Sequence, residues 1–97
     1  MPNIWVTGLD RDEARSFSQH ISTFFAERLK TPREAVYVYL REAVLFRDGQ
    51  EQAEIPAIFQ VSWIRRPRPH FEQLVAAITR IAREELGRKG SVQVELH

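Results

Sequence analysis

The chain has 97 residues and a mass of 11.4 kDa, the length of a single domain spanning 1–97. Fourteen basic residues against thirteen acidic ones leave a formal charge of +1, which gives no electrostatic footprint for a polyanion, so no nucleic acid partner is expected. The absence of cysteine excludes a disulfide framework, a thiol nucleophile and a thiolate metal site.

Residues 2–7 open with proline and continue Ile4, Trp5, Val6, the short apolar run of a buried strand. Gly8-Leu9 breaks that run. Asp10 with Glu13 three residues on reads as a helix N-cap with a capping box. Ala14, Phe17, Ile21, Phe24, Phe25 and Leu29 then recur at helical spacing, which predicts a helix over 11–29. Thr31-Pro32 ends it, because the residue before a proline is pushed out of the helical region.

Residues 35–46 alternate Val36, Val38 and Leu40 with Tyr37, Tyr39 and Arg41, the pattern of a second strand. Asp48-Gly49 marks a turn, and the polar stretch through Glu54 reads as a loop. A third strand is predicted over 55–64. R-R-P-R-P at 65–69 is a stiff basic connection. A second helix is predicted over 70–87, with Phe71, Leu74, Val75, Ile78, Ala82 and Leu86 inward and Gly87 closing it. Val92, Val94 and Leu96 make a short last strand.

The string is β-α-β-β-α-β, and its halves resemble one another. Val6 precedes Val38 by 32 residues and Val61 precedes Val94 by 33. That spacing fits a crossover joining parallel strands within each half. The expected fold is α+β, a four-stranded sheet with both helices on one face. By parity the other face carries Trp5, Tyr37, Tyr39, Arg41, Ser62, Ile64, Gln93 and Glu95. Trp5 with two tyrosines is a large apolar patch to leave in water. A small chain with no covalent staple is helped by burying such a patch, and a second copy is the simplest cover.

The N-terminus lacks the basic stretch and apolar segment of a signal peptide, and no apolar run approaches the ~18 residues of a membrane span. A cytoplasmic location with no membrane partner is expected. His20, His70 and His97 fall in separate elements without metal-ligand spacing, so no metal is expected and solvated or capping roles are. No G-x-S-x-G elbow, phosphate-cradling loop or H-E-x-x-H is present, and no organic cofactor is expected.

Pro2 remains. Behind Met1 its nitrogen is an amide, and the residue does no more than start a strand. With Met1 removed, the ring nitrogen is a secondary amine. An ordinary α-amino group titrates near ~8. Burial against Trp5 or another aromatic, with arginines nearby, would disfavour the cation. A base poised near operating pH is what proton abstraction alpha to a carbonyl needs.

M-P-x-I-x-V, a helix, T-P-R-E leading into V-Y-V-Y-L, and then a second β-α-β together resemble the tautomerase superfamily. The stretch F-R-D-G through I-P-A-I-F-Q-V-S-W-I is most similar to a small tautomerase-like family of unknown function. The resemblance implies a tautomerase-like fold, a homotrimer and an amino-terminal proline base. It also implies a small acidic carbonyl substrate, a 2-oxo acid, undergoing keto–enol tautomerisation. Arg11 lies near where oxalocrotonate-type members place a substrate-binding arginine, allowing a one-residue shift. Their second arginine falls here on Tyr37, a departure that Tyr37 itself, Tyr39, Arg41 or the Arg65, Arg66 and Arg68 cluster would have to make good. Arg11, Tyr37, Tyr39 and Arg65 are therefore the expected substrate-binding residues beside Pro2. Two other readings stay open. One is a tautomerase fold kept as a non-catalytic assembly protein. The other is a ferredoxin-like binding module whose sheet aromatics stack bases, in which strand three would stand between strands one and two.

Overall fold

The computed structural model describes residues 2–64 and 67–97. In chain order it contains β1 (Asn3–Thr7), α1 (Arg11–Arg28), β2 (Tyr37–Arg41), β3 (Leu45–Arg47), β4 (Gln50–Gln52), β5 (Ala57–Ser62), α2 (Arg68–Arg80) and β6 (Val92–Leu96). One sheet runs in the order β2-β1-β5-β6, while β3 and β4 pair as a separate hairpin. β1 is parallel to β2 and β5 is parallel to β6, with β1 and β5 antiparallel at the centre. Each half is thus a parallel β-α-β unit, as the internal repeat requires. The first strand stands directly beside the second, so the ferredoxin-like alternative is excluded.

Alternation along the strands decides what is buried. Ile4 and Val6 of β1 and Phe59 and Val61 of β5 are shut from solvent, and they pair across the sheet as Ile4 with Val61 and Val6 with Phe59. Phe17, Ile21 and Phe25 fall on one stripe of α1, and Leu74, Ala77 and Ile78 on one stripe of α2. All ten join a single core, so both helices cover the same sheet face. The Phe17 and Phe59 rings meet at 4.8 Å, tilted by 42°.

The start of α1 is fixed twice. The Asp10 carboxylate accepts from the Glu13 amide at 2.7 Å, and Glu13 Oε1 accepts from the Asp10 amide at 3.0 Å, completing the predicted capping box. Before it, Gly8 has φ +85°, and a Cβ there would run into the Pro56 carbonyl, so the turn requires glycine. Arg88, in the lead to β6, then donates to both Glu13 carboxylate oxygens at 2.8 Å and to the Gly8 carbonyl. This fork ties the second half of the chain to the first.

Three expectations need correction. The strand predicted over 35–46 is shorter: Arg33–Ala35 forms a 3-10 turn and β2 spans only Tyr37–Arg41. Its neighbour sets that length, because Thr7 at the end of β1 pairs with Arg41 and nothing lies beyond to pair with. The loop predicted through Glu54 contains a hairpin, with Asp48 at φ +49° and Gly49 at φ +78° in the tight turn that such left-handed pairs form. The second helix begins at Arg68, earlier than expected, since Pro67 and Pro69 suit a first helical turn. It closes through a π-helical turn over Ile81–Glu85 before Gly87.

The Arg88 hydrogen bond holds the Glu13 carboxyl below its ordinary range, burial opposes that shift, and the Asp10 amide adds to it. A carboxyl lowered in the folded state stabilises the fold above its unfolded range. That contribution is lost as pH falls through the folded value. Arg88→Ala should therefore lower stability at neutral pH by about 1–3 kcal/mol in urea unfolding. The gap to the wild type should be smaller at an acid pH below the folded value of Glu13, where protonation breaks the wild-type pair. An equal gap at both pH values contradicts this account.

Candidate functional site

The site is built from the head of β1. Pro2 is fully buried, and its carbonyl accepts from the Tyr37 amide at 3.2 Å. Asn3 pairs with Tyr37 on one side and Ser62 on the other. Carried back one residue, that register sets Pro2 between Val36 and Trp63. Both neighbours are buried, at 7% and 2% exposure.

Parity puts Pro2 on the helix side with Ile4 and Val6, and it puts Trp5 on the opposite side. The aromatic beside Pro2 is therefore Trp63 and not Trp5. Around Trp63 lie Phe25 from the last turn of α1 at 5.0 Å, and Phe71 and His70 from the first turn of α2 at 5.5 and 6.3 Å. The Phe25 and Phe71 rings meet the indole edge-on, and His70 stacks on it within 18° of parallel. Both helix termini thus close over one end of β1. His70 is partly buried there, not solvated as expected, and its Nδ1 has no hydrogen-bond partner among the described residues. Sequence reading missed Trp63 and His70, although the shared even parity of Pro2, Ile4 and Val6 was available to exclude Trp5.

The other sheet face carries the expected aromatic patch. Trp5 stacks on Tyr39 at 5.4 Å, and the Arg41 guanidinium lies 5.2 Å from the Trp5 ring centre. Arg41 Nη1 donates to Gln60 Oε1 at 2.7 Å, and Gln60 Nε2 donates to Glu95 Oε1 at 3.2 Å. One polar row therefore crosses all four strands beside the aromatics. Tyr37 and Tyr39 remain 43% and 45% exposed.

Of the remaining expected residues, Arg11 is separated from Pro2 along the sheet, and the Tyr37 and Tyr39 side chains lie on the other sheet face. Arg11 opens α1, beyond the other end of β1, which is roughly 17 Å away by strand rise. Its side chain is exposed and lies 3.9 Å from Glu42. Tyr37 and Tyr39 follow Pro2 closely in the sheet but project from the opposite face. Arg65 lies outside the described residues. Among the described residues no cluster of histidines and acids could hold a metal ion, and no helix is long and apolar enough to cross a membrane.

Among the described residues, two surface concavities can be outlined, and Pro2 lines neither. One, of about 510 Å³, lies between α1 and α2 and includes His20, Phe24, Arg28 and Arg80. The other, of about 230 Å³, runs along the outer edge of β2 between Val38, Leu40 and the Arg11 and Arg15 turn of α1.

With this geometry in hand, the chain can be set beside known proteins. A family model described as a domain of unknown function, DUF1904, matches residues 1–96. No curated protein matches the chain in sequence. A crystal structure of a DUF1904 domain from Sebaldella termitidis is similar with 21% identity and a TM-score of 0.85, covering 100% of this chain and 87% of that one. A structure of a protein inactivated by 2-oxo-3-pentynoate has 22% identity and a TM-score of 0.73, covering 99% and 83%. A fused 4-OT symmetric trimer has 20% identity and a TM-score of 0.71, covering 99% and 82%. The chain shares its fold with these structures, a tautomerase-like fold as the resemblance implied.

Replacing His70 by phenylalanine removes a buried ring nitrogen without a partner among the described residues and keeps a ring against Trp63. His70→Phe should leave stability unchanged or raise it by up to about 1 kcal/mol, read by thermal unfolding. A loss above about 2 kcal/mol would contradict it.

Proposed function

The chain belongs to the DUF1904 family, and from that premise we propose that it is a tautomerase acting on a small 2-oxo acid, with Pro2 as general base. The observation that carries this reading is the position of Pro2. It stands at the head of the central strand, buried, with Trp63, Phe25 and Phe71 closing over that end of the sheet. Once Met1 is removed, its nitrogen is a secondary amine, and apolar surroundings favour the neutral form that accepts a proton. In this mechanism the amine takes the proton from the carbon or oxygen of the enol system and returns it at the other position. An arginine holds the carboxylate by charge-assisted bonds and polarises the carbonyl. A structural neighbour inactivated by 2-oxo-3-pentynoate supports the choice of substrate class.

Arg11 cannot play that part toward its own Pro2 across the length of β1. In the proposed site it comes from a second copy of the chain, and self-association becomes part of the mechanism. We propose a homotrimer with the Trp5, Tyr37 and Tyr39 faces turned inward. The exposed aromatics motivate it, and a trimeric neighbour supports it.

Two measurements test this. The protein starting at Pro2 should speed ketonisation of an enol-pyruvate, with a rate that rises with pH through one group below the ~8 of a free terminus. The same chain retaining Met1 should lose that rate while keeping its fold by circular dichroism. Equal rates from both forms would contradict the proline mechanism. Light scattering should give a trimer at micromolar concentration, little changed by salt because apolar burial holds it. A stable monomer would sink the shared site.

A further inference from the structure

The larger of the two concavities has no part in the site around Pro2. It holds about 510 Å³, within the ~300–1,000 Å³ range of small-molecule sites. Each helix runs opposite to the parallel strands it joins, and β1 and β5 are antiparallel, so α1 and α2 are antiparallel too. The walls come from residues 20–28 of α1 and 73–80 of α2, a groove of about 12 Å by helix rise. His20 and Arg80 therefore mark one end, and Arg28 and Gln73 the other. His20 Nε2 lies 3.3 Å from Glu85, just past the end of α2, which fits that order.

The middle of the groove is apolar and its ends are charged. Half-buried Phe24 supplies a ring, braced edge-on by Phe25 at 5.6 Å, and the short side chains of Ala76 and Ala77 on α2 leave space beside it. Among the described residues neither Arg28 nor Arg80 is paired with a carboxylate. The two ends differ, however. Glu27, the one acid among the lining residues, is the chain neighbour of Arg28, and Arg80 has no such neighbour on the groove wall. The helices cover the sheet face opposite Trp5, so this groove stays open when the Trp5 face is covered.

We infer that the groove between α1 and α2 is a second ligand site, which takes a small aromatic carboxylate with its ring on Phe24 and its head on Arg80. A planar guanidinium holds a carboxylate through two parallel hydrogen bonds. An offset or edge-on contact with the Phe24 ring holds the body of the ligand. A neutral aromatic lacks the first contact and an inorganic anion lacks the second, so the pair selects for a molecule with both. The site does not use the Pro2 nitrogen and stands independently of the tautomerase reading.

The test is an NMR titration of backbone amides with 2-naphthoate, and with 2-naphthamide as its uncharged counterpart. It is run on the chain that starts at Pro2 and on the chain that retains Met1. Naphthoate should shift amides of residues 20–28 and 73–80 in both chains with the same affinity. The amide, or Arg80→Gln, should bind at least about tenfold more weakly, the ratio expected for losing a hydrogen-bonded charge. Arg28→Gln should cost less than Arg80→Gln, since Glu27 already offsets that end. Ala76→Leu fills the groove from an exposed position with a good helix former. It should weaken binding at least about tenfold while thermal unfolding stays unchanged. No binding at millimolar naphthoate, equal binding of the amide, or indifference to Ala76→Leu overturns the inference. Shifts confined to residues around Pro2, or seen only in the chain that starts there, also overturn it, because the carboxylate would then occupy the other site. Groove binding by a protein without turnover upholds this inference and counts against the tautomerase reading alone.

Discussion

Everything in this fold depends on β1 alternating its side chains while hydrogen-bonded on both edges. A strand paired on both sides cannot slip by one residue without sending Ile4 and Val6 to solvent and Trp5 into the core. Held in that register, β1 sets the length of β2, the depth of Pro2 and the face on which Trp5 meets Tyr39. The turn after it is fixed just as firmly, by Gly8 against Pro56 and by the Arg88 fork on Glu13.

The two sheet faces therefore have separate chemistry. The helix side buries Pro2 beside Trp63 in the sheet, with Phe25 and Phe71 against that indole, and supplies an apolar end to the strand. The open side carries aromatics crossed by the Arg41–Gln60–Glu95 row, in which each polar group is held by a neighbour on the next strand or the one beyond. Pro2 and Arg11 sit at opposite ends of one strand, so a single chain holds the proposed base and its anion-binding arginine apart. Assembly and chemistry are linked in the proposed function for that reason.

The repeat, the α+β class and the parity of the open face were legible in the sequence because each rests on long, regular alternation. The capping box was legible because Asp10 and Glu13 act within one turn. Contacts that depend on partners distant in sequence were not. The length of β2 is set by where β1 stops, which no local pattern around Arg41 reveals. The hairpin was half legible. Asp48-Gly49 signalled its turn, but Gln50–Gln52 has none of the branched or aromatic residues that mark a strand. The aromatic shell at Pro2 was missed because Trp63 reaches it across the antiparallel pairing of β5. Arg11 was expected near Pro2 from the resemblance alone, and the strand between them explains why one chain does not join them.

The central claim is that Pro2 is a free, apolar-shielded amine in the working protein. Its most direct measurement is a pH titration of the Pro2 nitrogen by NMR in protein labelled with 15N-proline. The account predicts one proline nitrogen that titrates as an amine, at a value below the ~8 of an ordinary terminus. A Pro2 nitrogen that behaves as an amide, or that titrates at or above that value, would contradict it.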